Sequence, residues 1–337
     1  MNESSINLTS SEIGSLWTMY MNVSMSKQML RFMLQHLHDP EMKEVVQHGY
    51  DMSAGQLSEL NALFKREQFA IPNGFSDKDV NMEAPWLFTD IFCLTYVNHM
   101  AKIGTALYTS YLTMSYRDDI FNFLSQCLDD SKQLYHQALQ VSLKKGINAR
   151  HPYISVPKET DFIESKKYFS GLNPFSTKRP LNAVEISHLY LNILTNSIGA
   201  KLCIAFAQTS PTKKVQDYML RLREVSNKHI TLFSDTLMKE SVEAPHIPDV
   251  GVSHSTTKTF SDKMMMFHMS LIMSAGIGNY ATGGALSQRS DLSINYERLS
   301  IEVARLAKSG ADLMIENRWL EQPPGIKNRT KLAKEKD

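Results

Sequence analysis

The chain has 337 residues, 42% of them hydrophobic and 21% charged, with 36 Lys plus Arg against 35 Asp plus Glu. A net charge of +1 supplies no long-range field toward nucleic acid or an anionic membrane, and the apolar content excludes a disordered chain. The length accommodates two domains of ordinary size, each able to bury a core.

Met1–Thr9 is polar and lacks the basic run and apolar core of a secretory leader, which predicts a cytoplasmic chain. A helical pattern covers 11–38, with Ser10 or Ser11 as its N-cap. Asp39-Pro40 ends it and starts a second helix, Asp as cap and Pro at the first helical position, running to about Phe69. Ile71-Pro72-Asn73-Gly74 breaks the pattern, and loop continues to Ala84. Helices follow at 86–113 and 117–145. Asp118 and Asp119 complement the dipole at the start of the latter, and Gly146 provides its C-cap. Pro152–Pro180 carries prolines at 152, 157, 174 and 180 and reads as a linker, with a short helix at 160–169. Four more helices are predicted at 182–209, 212–241, 258–286 and 290–318, Pro211 starting the second of them.

Met264–Gln288 contains no Asp, Glu, Lys or Arg and is long enough to span a bilayer. Its His268, Asn279, hydroxyl residues and glycines place it in a bundle interior instead, so no transmembrane segment is expected. The tail Lys327–Lys336 is a short solvated end rather than a nucleic-acid arm. Cys93, Cys127 and Cys203 form no CxxC and read as buried thiols in a reducing compartment.

The pattern occurs twice, displaced by 171–173 positions: Leu8, Glu12, Ile13 and Leu16 recur as Leu181, Glu185, Ile186 and Leu189. Phe88, Asp90, Gly104, Tyr108, Arg117 and Asp119 recur as Phe260, Asp262, Gly276, Tyr280, Arg289 and Asp291. A repeat this long is a whole domain. The expected architecture is all-α, with a four-helix bundle at 8–152, a linker at 153–180 and a second bundle at 181–325. The long connection between the second and third helices suits a chain that crosses from one end of a bundle to the other. Gly104 and Ala275-Gly276-Ile277-Gly278 are expected where helices approach closely. Ser115-Tyr116-Arg117-Asp118-Asp119, repeated at Ser287–Asp291, reads as a cap and a tie between the third and fourth helices rather than an anion clamp.

The segments Leu8–Trp17, His99–Gly104, Asn182–Ile186, Phe260–His268 and Asn317–Pro324 carry a resemblance across essentially the whole chain. The sequence resembles two-domain proteins of unknown function from spore-forming Gram-positive bacteria, related to the spore coat F proteins within the ferritin-like superfamily. The resemblance implies a tandem duplication of a ferritin-like four-helix bundle and a link to sporulation or the spore coat. It carries no catalytic activity.

Ferritin-like carboxylate proteins bind two metals through a Glu from each of two helices and Glu-x-x-His from the other two. This chain has one such motif, Glu185-Ile-Ser-His188, and the other helices of the second copy offer His229, His268 and Glu302. The corresponding first-copy positions are Ser15, Gln56, Tyr96 and Asp130. These are too few carboxylates for a two-metal centre. The alternative reading is therefore a metal-binding protein or metalloenzyme with one transition metal (iron, zinc, manganese, nickel or copper) in the second bundle. The weightier reading has no cofactor, the histidines forming a buried polar cluster. GxSxG, HExxH and Rossmann glycines are absent, and the methionines at 264–266, 269 and 273 suit adaptable packing. The preferred function is a non-enzymatic structural or assembly protein of the spore, with a second copy of itself or spore-coat proteins as partners.

Overall fold

The computed structural model describes residues 6–148, 150–173, 178–245 and 251–334; the first five residues, Pro174 and the last three residues of the tail fall outside them. The first copy folds as α1 (Ser10–His36), α2 (Pro40–Arg66), α3 (Asp90–Leu112) and α4 (Asp118–Lys144), and the second as α5 (Ala183–Thr209), α6 (Lys213–Met238), α7 (Asp262–Leu286) and α8 (Ser290–Glu316). A short α9 (Arg329–Lys334) follows. The protein is all-α, two groups of four long helices.

Local chemistry explains the boundaries. Thr9 caps α1 and Asn182 caps α5, each in a capping box with the Glu three residues on. Asp39 caps α2 above Pro40, as its sequence predicts. Four helices end on a residue of positive φ at matching positions of the two copies: Gln68 (52°) and Ser241 (59°), Gly146 (67°) and Arg318 (57°). The N–H one residue further on closes the turn, as in Phe69 N to Phe64 O at 2.8 Å and Trp319 N to Met314 O at 2.8 Å. α3 and α7 begin about four residues later than the periodicity predicts, at caps Thr89 and Ser261, because the residues before them are extended and bonded elsewhere. The predicted helix at 160–169 reduces to one 3₁₀ turn, Lys166–Phe169.

Hydrogen bonds at the helix ends fix the topology. Glu12, at the start of α1, accepts the N–H groups of Tyr116 and Arg117 at the start of α4, both at 2.9 Å. Arg117 grips Glu67, just past the end of α2. At the opposite end, Asp90 of α3 accepts the Asp39 N–H at 2.7 Å, and Lys145, past α4, bonds Asp39 at 2.6 Å. α2 and α3 therefore run parallel, and residues 67–89 traverse the length of the bundle, the crossover of a ferritin-like fold. The second copy repeats it: Glu185 meets Arg289, Arg289 meets Glu240, and Asp262 accepts the Ser210 and Thr212 hydroxyls.

The two crossovers meet. Val80 pairs antiparallel with Phe260, and Phe88 with Val252. Val252 and Phe260 are the second-copy counterparts of Val80 and Phe88, so each bridge is the other's image under a two-fold rotation. The backbone bonds obey the same symmetry: Thr89 N to Gly251 O (3.1 Å) mirrors Ser261 N to Asp79 O (2.8 Å), and Ser253 N to Leu87 O (2.9 Å) mirrors Asn81 N to Thr259 O (2.7 Å). The bundles thus pack as an isologous pair within one chain. One core runs through both, with Phe32 of α1 against Phe260 at 5.3 Å and Phe75 against Phe267 of α7 at 5.0 Å.

The close approaches differ from expectation in one place. Gly104 does pack against Ser131, but Gly276 and Gly278 face open space. Gly283, against the Tyr296 ring, and Gly310, against Tyr218, are the tight positions of the second bundle. Among the described helices α5, rather than α7, is long and apolar enough to cross a membrane, with a mean hydropathy of 1.3, and 72% of its apolar window is buried in the protein.

A shared core predicts that the bundles unfold together. Urea denaturation followed by probes placed in each copy should give one coincident transition. Phe260→Ala, which empties a site that is 1% exposed, should lower stability by about 3–5 kcal/mol.

Candidate functional site

Buried Glu and Arg side chains of each bundle gather at the end where α1 and α4, or α5 and α8, begin. Glu185 is fully buried. It accepts N–H groups from Asn182 (3.0 Å), Gln288 (3.1 Å) and Arg289 (3.0 Å) and a two-pronged guanidinium from Arg179 (2.7 and 2.8 Å). Burial pushes its carboxyl up, but the Arg179 guanidinium and the backbone donors outweigh this and hold it below the ordinary value. Arg179 is held in turn against the Tyr168 ring at 4.0 Å. Arg289 joins Asp291, at 3.0 Å through two nitrogens, to Glu240 at 2.7 Å. The first copy builds the same lock from Glu12, Arg117, Asp119 and Glu67. The arginine-aspartate motif thus ties the start of the fourth helix to the end of the second, not to the third, and its side chains make no N-cap bond.

A second cluster lies inside the second bundle. His229 is fully buried; its Nδ1 meets the Tyr280 hydroxyl at 2.8 Å and its Nε2 meets Glu302 at 3.0 Å. Asn196 donates to the same hydroxyl at 2.8 Å, and Lys228 bonds Glu302 at 2.7 Å. Burial draws the His229 pKa down, against the opposing pull of Glu302. A cavity of about 40 Å³ adjoins this group.

The third cluster sits between the bundles. His268 Nε2 meets the Tyr96 hydroxyl at 3.2 Å, and Tyr96 is the first-copy counterpart of His268, so this contact straddles the two-fold axis. Burial pushes His268 down to about 3 and, with Lys102 nearby, His99 down to about 4. His99 Nε2 and His268 Nδ1 have no hydrogen-bond partner among the described residues.

The five residues read as metal ligands therefore separate. His229 and Glu302 meet. His268 lies at the axis, Glu185 in the helix-end lock, and His188 is half-buried elsewhere on α5, near enough to His151 to influence it. Among the described residues no three His, Cys, Asp or Glu side chains gather as a metal site needs. The donors do not fit the two-metal centre of ferritin-like carboxylate proteins, and the His229–Glu302 pair already shares its carboxylate with Lys228. In the first copy Gln56 accepts from Tyr108 at 2.9 Å and Asp130 from Gln126 at 2.7 Å.

Sequence reasoning missed Arg179, Glu67 and Glu240. A signal for the role of Glu185 was present: Thr9-x-x-Glu12 and Asn182-x-x-Glu185 are capping boxes, repeated at the period of the duplication.

A family model described as "Protein of unknown function (DUF3231)" matches residues 1–160 and again residues 169–332. No curated protein matches the chain. A solved structure from Bacillus halodurans C-125, described as a "putative spore coat protein", is similar at 18% identity and a TM-score of 0.39, over 48% of this chain and 100% of its own.

Two expectations follow from the buried charges. Glu185→Gln leaves Arg179 without its charge partner and should cost about 3–5 kcal/mol at pH 7. Because the folded pKa lies below the reference value of 4.5, the gap to the parent should shrink as pH falls below that value in urea titrations. His99 and His268 take up protons in the unfolded chain near the ordinary value of 6.5 but in the folded chain only at about 4 and 3. Stability is full above pH 6.5 and should fall on acidification, by up to about 1.4 kcal/mol per pH unit for each histidine. His268→Gln should flatten that slope.

Proposed function

The chain belongs to the DUF3231 family, and we propose that it serves as a structural or assembly protein of the spore, as its sequence resemblance implies. One observation carries the assembly role. The segment joining the bundles presents large apolar side chains to solvent: Tyr153 is 86% exposed, Val156 76% and Phe162 93%, with Ile163 and Leu172 also outward. We read these exposed apolar side chains as contact surface. The partners we assign to it are spore-coat proteins. The locks at the bundle ends support the same reading, since they spend Glu12, Glu185 and the arginines on holding helices together.

A fluorescent fusion expressed from its own locus in a spore-forming host tests the role. The signal should collect at the spore envelope, and the chain should appear in coat extracts of purified spores. Uniform fluorescence with none in spores would refute it. The triple variant Tyr153→Ser, Val156→Ser, Phe162→Ser should keep the parent's urea midpoint and lose envelope recruitment.

The metal-binding alternative would have to rest on His229 and Glu302. Metal content measured by mass spectrometry, on protein purified without a histidine tag or chelator, should be well below stoichiometric. A full equivalent that disappears in the His188→Ala/His229→Ala double variant would shift the reading to a metalloprotein.

A further inference from the structure

The seam between α3 and α5 encloses a cavity of about 90 Å³. Its polar lining is rich in donors. Lys102 and Lys201 contribute ammonium groups, Asn98 an amide and His99 an imidazole, and no Asp or Glu lines it among the described residues. Asn98 Nδ2 and His99 Nε2 are buried without a hydrogen-bond partner among the described residues, and His99 is only 8% exposed. The hydroxyls of Thr95, Ser142 and Thr195, also at the cavity, are turned to carbonyls of their own helices. The remaining wall is apolar: Ile91, Phe92, Leu191, Leu194 and Ile198.

We propose that this cavity binds a small organic carboxylate with an aliphatic or aromatic body. The carboxylate accepts from Asn98 and Lys102, and the apolar body lies between the Ile91 and Leu194 sides. A cavity of this size holds roughly six to nine heavy atoms, taking each as needing about the space of a water. Desolvation by the surrounding side chains draws the Lys102 pKa down, although the residue stays exposed at the cavity, and no carboxylate bonds it among the described residues. Its nearest aromatic contact, Tyr135 at 5.5 Å, is a weak substitute.

The two-fold relation between the bundles strengthens the assignment. The counterparts of Asn98, His99 and Lys102 on α7 are Ser270, Leu271 and Ser274, and that of Lys201 on α1 is Gln28. Packing the seam does not require these donors, since the equivalent seam does without the lysines and the histidine. They are features of one side alone. The inference is independent of the role proposed at the spore, because the cavity and the apolar linker share no residue.

Ligand-observed NMR on the full chain tests it, using hexanoate and benzoate as probes and hexanamide as the uncharged control. At least one carboxylate should bind saturably, about tenfold or more tighter than hexanamide, the worth of a charge-assisted hydrogen bond. Lys102→Met should weaken that binding by a similar factor, while Lys308→Met, on the outer face of α8, should leave it unchanged. Asn98→Leu is the second variant if Lys102→Met loses helicity by circular dichroism. Absence of saturable binding by either acid, equal binding of hexanamide, or parent-like binding in both cavity variants would each overturn the proposal.

Discussion

A polypeptide that crosses a four-helix bundle from end to end brings with it backbone N–H and C=O groups that no helix satisfies. Left unpaired under a neighbouring domain, each would cost free energy comparable to a lost hydrogen bond. Here the crossover of each bundle supplies partners for the other, in four backbone bonds related two by two. Much else follows from that pairing. It pairs Val80 with Phe260 and Phe88 with Val252 and so sets where α3 and α7 begin. It brings Phe260 against Phe32 and Phe206, which merges two cores into one. It also sets α3 beside α5, and with them the seam that holds the cavity lined by Asn98, His99 and Lys102.

Much of the fold was legible because it depends on local signals. Asp39-Pro40 and Gly146 mark helix ends by chemistry contained within a few residues, the long middle connections leave room for a crossover, and the constant offset showed that the plan was used twice. The start of α3 was not legible. Nothing in Trp86–Phe88 distinguishes a helical turn from an extended segment until the partner strand, more than 160 residues away, is in place. The candidate site was misread for a related reason. A Glu at the third position of a helix and a Glu three residues before a His are the same letters, and Glu185 satisfies both patterns. The depth of Glu185, at the helix end where N–H groups lie unpaired, decides for the cap. His268 was expected inside its own bundle; it faces the other copy, a direction that periodicity within one helix does not encode.

The charges buried at the helix ends are each answered. Arg289, 3% exposed, has two carboxylates, and Glu185 has a guanidinium and three N–H donors. Removing one partner would be costly, whereas the complete arrangement contributes more to registering the helix ends than to net stability. The histidines represent a different solution. His99 and His268 stay neutral, accept the cost of leaving water, and keep one nitrogen each without a partner among the described residues.

The residue on a two-fold axis has a particular history. In a dimer of identical chains the side chain at the axis must meet its own copy, so Tyr would face Tyr and His would face His. Tyr96 facing His268 is a combination that such a dimer cannot make. Joining the two copies in one chain removed the requirement of self-complementarity, and with it the dependence of assembly on concentration. Each side of the interface became free to accept mutations that the other side does not share. The lysines of the α3–α5 seam and the His229 cluster of the second bundle are differences of this kind, accumulated by two halves that no longer have to match.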